Sequence, residues 1–101
     1  MYVEQSMPLF LVISHPAAAR PSEVAPQRAA FWDWLAPLED SGTVRYCYPR
    51  LGRGAVALFE VDSTETLQGH LTTWSELIPA TFDVHALVDV EYQKRLVGHQ
   101  Q

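Results

Sequence analysis

His15, His70 and His85 are the side chains best suited to moving a proton near neutral pH, because an ordinary imidazole changes charge in that range. His70 follows Leu67 by three residues and precedes Leu71, beside an apolar helical stripe. A partly desolvated imidazole there can act as acid or base; the plainer reading is a helix-edge histidine satisfied by backbone or water. His15 precedes Pro16 at the end of an apolar run, where it either faces a pocket mouth or marks the end of a strand. His85 alternates with Asp83 and Asp89, which allows a base–carboxylate pair, a substrate contact, or a place on an edge strand or interface. Tyr46 and Tyr48 fall on one strand face beside Val44, with Arg45 on the opposite face. A phenol aimed into a cleft donates to a developing enolate, whereas ordinary sheet packing asks nothing of the hydroxyl. His70, His15, Tyr46 and Tyr48 are the catalytic candidates.

Arginines and tryptophans supply the binding candidates. Arg50 and Arg53 flank a glycine-containing turn and can hold a carboxylate bidentately, although solvated turn arginines are common. Arg28 stands one helical turn before Trp32, which lies off the main apolar stripe and suits a pocket wall or an interface. Trp34 and Trp74 read as core rings, and Trp74 joins Arg28, Trp32, Arg50, Arg53 and His85 as a substrate-binding candidate. Small Ala55 and Ala57 leave room for a ring or a ligand.

Other chemistries find little support. His15, His70, His85 and His99 lack metal-ligand spacing. Gly52-Arg53-Gly54 lies in a hairpin and not before a helix, so it is no phosphate cradle. No serine sits in a nucleophile-elbow pattern. The expectation is a site without metal or cofactor.

The elements that must position these residues are legible in the periodicity. Residues 9–13, Leu-Phe-Leu-Val-Ile, form a continuous apolar run, read as a strand buried on both faces and closed by His15-Pro16. A helix follows, starting at Ser22-Glu23 or at Pro26 and running to about Ala36, with Ala30, Phe31, Trp34, Leu35 and Leu38 as its stripe. Pro37 is expected to kink or end it, and Ser41-Gly42 to make the exit turn. Residues 44–48 and 55–61 read as strands joined by a hairpin, with Gly52 and Gly54 able to take positive φ. Asp62 with Glu65 reads as a capping box opening a second helix, residues 63–77, whose inner face is Leu67, Leu71, Trp74 and Leu77. Residues 82–90 alternate as a fourth strand.

This order, β-α-β-β-α-β, is the ferredoxin-like plan of an α+β domain. The doubly apolar first and third strands suit the centre of a sheet ordered 4-1-3-2, and the charged second and fourth suit its edges. A sheet with two apolar faces needs cover on both, and two helices cover one. A second copy packing sheet to sheet, as a dimeric α+β barrel, is the economical cover. Residues 1–6 read as an N-terminal extension, 7–92 as the domain and 93–101 as a polar, frayed C-terminal tail.

Bulk properties narrow the partners. With 101 residues there is room for one domain. A hydrophobic fraction of 48% beside 19% charged residues argues against disorder. A formal charge of −5, without a basic run, argues against a nucleic-acid partner. No stretch is long and apolar enough for a bilayer, so no membrane partner is expected. The single cysteine, Cys47, cannot make an internal disulfide, and the cytoplasm is the expected compartment.

Three stretches also resemble one family. Met7-Pro8-Leu9-Phe10-Leu11-Val12 is one. Gly42-Thr43-Val44-Arg45-Tyr46-Cys47-Tyr48, with Gly52-Arg53 and Phe59-Glu60-Val61-Asp62-Ser63, is the second. Leu77-Ile78-Pro79 and the strand after it make the third. Together they look like the muconolactone isomerase family, small α+β-barrel proteins of aromatic catabolism, over about four fifths of the chain. The resemblance implies a dimeric barrel that works on a small organic molecule without cofactor. In the family's first helix, which carries a lysine and carboxylates, Arg28 and Asp33 keep the character of two positions while Phe31 stands where an acid is expected. Val44 and Tyr48 replace paired tryptophans, and the hairpin is one residue shorter.

The expected function is thus a cofactor-free isomerase or cyclase that transfers a proton on a small lactone or polyketide-like substrate, in catabolism or biosynthesis. His70 or His15 would be the base, with a tyrosine or arginine steadying enolate charge. A cofactor-free monooxygenase on the same barrel, or a non-catalytic small-molecule-binding partner in a pathway, are the rival readings.

Overall fold

Alternation in two apolar runs builds the centre of the sheet. The computed structural model describes residues 7–99, so the expected N-terminal extension and the last two residues lie outside the described residues. Strand β1 spans Leu9–Pro16 and β3 spans Ala55–Glu60, with β2 at Val44–Pro49 and β4 at Ala80–Leu87. The sheet order is β2-β3-β1-β4, antiparallel throughout, which is the ferredoxin-like arrangement with β1 and β3 central. Successive side chains point to opposite faces. Phe10, Val12 and Ser14 of β1 and Ala55, Ala57 and Phe59 of β3 are buried beneath the helices. Leu9, Leu11, Ile13, Val56 and Leu58 share the other face and are half-buried.

Helix α1, Ala25–Ser41, follows a single 3₁₀ turn at Pro21–Glu23, in which the Arg20 amide donates to Glu23 Oε1 at 2.9 Å. Both expected starting points are therefore used, one for the turn and one for the helix. Pro37 does not end α1. A proline inside a helix removes one N–H and frees the carbonyl four residues earlier, that of Asp33. Asp33 and Pro37 both lie on the solvent side, where water can satisfy that carbonyl. The helix stops at Gly42, which takes φ +85° and donates to the Glu39 carbonyl. Phe31 and Leu35 are buried, Trp34 and Leu38 pack against them, and Ala30 is exposed.

Helix α2 spans Thr64–Leu77. Its cap is Ser63, not Asp62: Ser63 Oγ accepts from the Thr66 amide at 3.1 Å. Asp62 instead accepts from Thr66 Oγ1 at 2.6 Å, a hydrogen bond that lowers its carboxyl pKa. The expected box failed by one register position, because the residue three beyond the true cap is a threonine. Leu67, Leu71 and Trp74 form the buried stripe. Trp74 is the hub of the core, with ring centroids 4.9 Å from Phe31, 5.1 Å from Phe82 and 6.4 Å from Phe59. Offset and edge-on ring pairs of this kind add to simple area burial.

The C-terminal reading needs correction. Strand β4 begins two residues earlier than expected and ends at Leu87, and Val90–His99 is a helix, α3, where a frayed tail was expected from residue 93. Asp89 starts it, with its carboxylate accepting from the Glu91 amide at 2.7 Å. Val90, Tyr92, Leu96 and Val97 are exposed along it. The radius of gyration is 16.1 Å, above the ~13 Å of a compact chain this long. No helix among the described residues is long and apolar enough to cross a membrane.

Candidate functional site

One end of the sheet, where β1 stops and β3 starts, opens as a cleft between the helices. The β2–β3 hairpin forms its lower lip. Gly52 and Gly54 take φ +91° and +99°, and the Arg50 amide donates to the Gly54 carbonyl at 2.9 Å to close the loop. Gly54 must be a glycine for a second reason: a Cβ there would stand 2.6 Å from the Ser14 carbonyl oxygen. This close approach brings Ser14 Oγ within 2.8 Å of the Ala55 amide, from which it accepts. The hydroxyl thus continues the β1–β3 pairing and allows a polar residue to be 2% exposed at the cleft floor.

The cleft has a volume of about 80 Å³. Arg28 and Trp32 come from α1, Arg50 and Arg53 from the hairpin, and Trp74 from α2, with Phe31 and Ala55 behind them. Five of the six expected binding residues meet here. The side chains join for separate local reasons: Arg28 and Trp32 are one helical turn apart, and the hairpin arginines flank two positive-φ glycines. Ala55 contributes only a methyl group, which leaves the space open.

The electrostatics of the cleft run against those of the chain. Net charge is −5, yet among the described residues the only ionisable side chains lining the cleft are three arginines. None of them joins an ion pair among the described residues. Arg50 Nη1 donates to the Ser14 carbonyl at 2.9 Å, and Arg53 Nη1 donates to the Ala17 carbonyl at 2.7 Å. Backbone carbonyls hold these guanidiniums in place without neutralising them. Such an arrangement suits a planar anion, held by charge-assisted hydrogen bonds and flanked by indole faces.

The expected catalytic residues scatter. His70 does not line the cleft. Its ring stacks 5.9 Å from Phe59 and lies 6.4 Å from Trp34, so it serves as a half-buried wall of the core. Tyr46 and Tyr48 do not share a face with Val44. The β2–β3 register slips between Val44 and Tyr46, and this bulge sends both tyrosines to the open face. There they lie opposite Leu58 and Val56, with ring centroids 5.5 Å apart. Arg45 is on that same face, paired with Glu60 at 2.8 Å, contrary to the simple alternation. His85 lies exposed on β4, opposite Leu11, also outside the cleft.

His15 is the exception. It lies on the open face at the end of β1, with Nε2 2.8 Å from Asp83 Oδ2 and Nδ1 3.2 Å from Arg50 Nη1. It therefore touches the cleft through Arg50. Sequence reasoning missed Ser14 and offered Asp83 as a partner for His85 when it pairs with His15. Ser14 left a faint signal, a hydroxyl inside an apolar run; the Asp83 contact depends on the β1–β4 register and left none. Phe31, where the resemblance led to an expected acid, is 3% exposed among Trp32, Trp34 and Trp74. A carboxylate there would have to be desolvated among three indoles.

Cys47 faces the core from β2 and is half-buried. Burial, with Glu39 adding to it, raises its thiol pKa to about 11, so it is a neutral packing group and no nucleophile. Among the described residues, no group of three His, Cys, Asp or Glu side chains stands close enough together to hold a metal ion.

Residues 8–100 match the model of a family described as a domain of unknown function, DUF3303, and the chain belongs to that family. No curated protein matches the chain.

Proposed function

We propose that this DUF3303 chain binds a small, planar organic anion in the arginine–tryptophan cleft and acts on it as a cofactor-free isomerase or cyclase of the muconolactone isomerase type. The observation that carries the reading is the convergence of Arg28, Arg50 and Arg53, free of carboxylate partners, around Trp32 and Trp74. Proton transfer beside a carbonyl develops negative charge on oxygen, and fixed guanidiniums stabilise that charge more than the ground state. His15 stands behind the cleft wall, hydrogen-bonded to Arg50. The working unit in this reading is a homodimer, in which the half-buried apolar face of the sheet meets its copy. Leu9, Leu11, Ile13, Val56 and Leu58 with exposed Tyr46, Tyr48 and Leu87 make that face too apolar to suit a lone subunit.

A second reading is favoured by one observation: among the described residues, no imidazole, carboxylate or phenol lines the cleft. A site that binds an anion and lacks a base of its own suits a non-catalytic binding partner. Muconolactone turnover, followed in the ultraviolet, separates the readings when tryptophan fluorescence is titrated in parallel. Binding with turnover supports the isomerase, and binding without turnover supports the partner. Unchanged fluorescence with muconolactone and with benzoate would remove both.

A further inference from the structure

Asp83, His15 and Arg50 form a chain of hydrogen bonds that starts on an edge strand and ends at the cleft. A guanidinium only donates. The 3.2 Å contact between Arg50 Nη1 and His15 Nδ1 therefore requires Nδ1 to be the unprotonated nitrogen. The imidazole proton then sits on Nε2 and is donated to Asp83 Oδ2 at 2.8 Å. The carboxylate selects the tautomer, and the tautomer supplies an acceptor for Arg50.

The same Nη1 also donates to the Ser14 carbonyl at 2.9 Å. Both of its protons are thereby engaged, by two acceptors fixed to the end of β1. The other edge of the guanidinium, formed by Nε and Nη2, makes no hydrogen bond among the described residues. That edge is the two-donor fork that matches a carboxylate. Arg50 is thus held by one nitrogen and left free at the edge an anion would use.

We infer that Asp83 and His15 are positioning residues that hold Arg50 for an oxyanion in the cleft. The role links β4 to the β2–β3 hairpin across the end of β1, and it assigns His15 an orienting function in place of the general-base one. The inference rests on the anion-binding reading of the cleft. The His15 and Asp83 side chains are 43% and 60% exposed, so solvent weakens the link. The expected effect of losing either residue is a two- to fivefold loss of affinity, roughly that of an exposed ion pair.

The test combines a probe of the chain itself with a probe of its consequence. Nitrogen-15 spectra of the His15 ring, recorded without ligand at pH 8, should show a protonated Nε2 and an acceptor Nδ1. The Nδ1 signal should move in Arg50→Ala. The opposite tautomer, or a ring indifferent to Arg50→Ala, would overturn the inference. Benzoate affinity, measured beside that of neutral benzamide, should fall two- to fivefold in Asp83→Ala and His15→Ala for benzoate alone. Asp83→Asn, which keeps an acceptor oxygen, should recover most of the loss. In an Arg50→Ala background, Asp83→Ala should change nothing further, because its only route to the ligand is gone. An equal loss in that background would mean that Asp83 acts through the sheet and not through Arg50. If wild type shows the expected tautomer but binds no benzoate, the chain stands as structure and the anion-binding reading falls.

Discussion

The two faces of the sheet are built from nearly the same residue types and end in different states. Under the helices, Phe10, Val12, Ala57 and Phe59 are at most 7% exposed and enclose an aromatic cluster around Trp74. On the other side, Leu9, Leu11, Ile13, Val56 and Leu58 are as apolar, yet no helix among the described residues packs closely on them. Hydrophobicity alone does not decide burial; a face is a core only when another element meets it. The covered face also opens at one end into the arginine cleft, whereas the open face collects the tyrosines, His85 and the Arg45–Glu60 pair.

The contrast can be broken hardest at Trp74. Trp74→Ala removes the ring that joins Phe31, Phe59 and Phe82, and should cost about 3–5 kcal/mol by urea denaturation. In the anion-binding reading, ligand-dependent fluorescence should weaken with it, leaving Trp32 as the remaining indole of the cleft. A loss below about 1 kcal/mol would mean that the covered face is not the dominant core.

The open face is sharpened by Leu11→Glu. In the dimeric reading, each protomer buries one such carboxylate at about 3 kcal/mol, and the two together raise the dissociation constant roughly ten-thousandfold. Sedimentation should then show monomer where wild type shows dimer. An unchanged oligomeric state would deny that this face is the interface.

At the junction of the two faces, Gly54→Ala should lose about 2 kcal/mol of stability in thermal or chemical melts. Its φ of +99° is strained for alanine, and the added methyl meets the Ser14 carbonyl. Gly52→Ala, with comparable φ but open space around it, should lose less. Equal losses would show that backbone strain, and not the contact with β1, sets the cost.

The smallest effect belongs to Cys47. A thiol pKa raised to about 11 in the folded state, against an ordinary value of 9.0, means that folding favours the neutral form. The associated stability is full below about pH 9 and is lost as pH rises towards 11. Cys47→Ala should flatten that part of the stability–pH curve. Alkylation of wild type at pH 8 should be slow until the protein is unfolded, and rapid labelling of native protein would contradict the burial.

The legible parts of the molecule share one property, that local pattern was enough. The continuous runs around Val12 and Ala57, the stripe Phe31–Leu35 and the glycines of the hairpin each show in a few neighbouring residues, and the sheet order follows from which strands are apolar on both sides. The residues that line the cleft were legible for the same reason, because Arg50 and Arg53 flank a turn and Arg28 precedes Trp32. Reading failed where one residue changed a register. The bulge beside Arg45 moved Tyr46 and Tyr48 to the other face, and Ser63 displaced Asp62 as cap. Helix α3 was missed because only Asp89 and a sparse set of apolar residues announce it.

The order β-α-β-β-α-β, the central strands and the residue types that line the cleft were determined by the sequence on its own, since periodicity and turn chemistry act over a few bonds. Tertiary structure alone decided which of the candidates meet. The contact between His15 and Asp83 spans 68 residues and that between Arg50 and Ser14 spans 36. Such pairs depend on strand register and on the bulge, which are set by how whole elements pack and leave no mark in the neighbouring sequence.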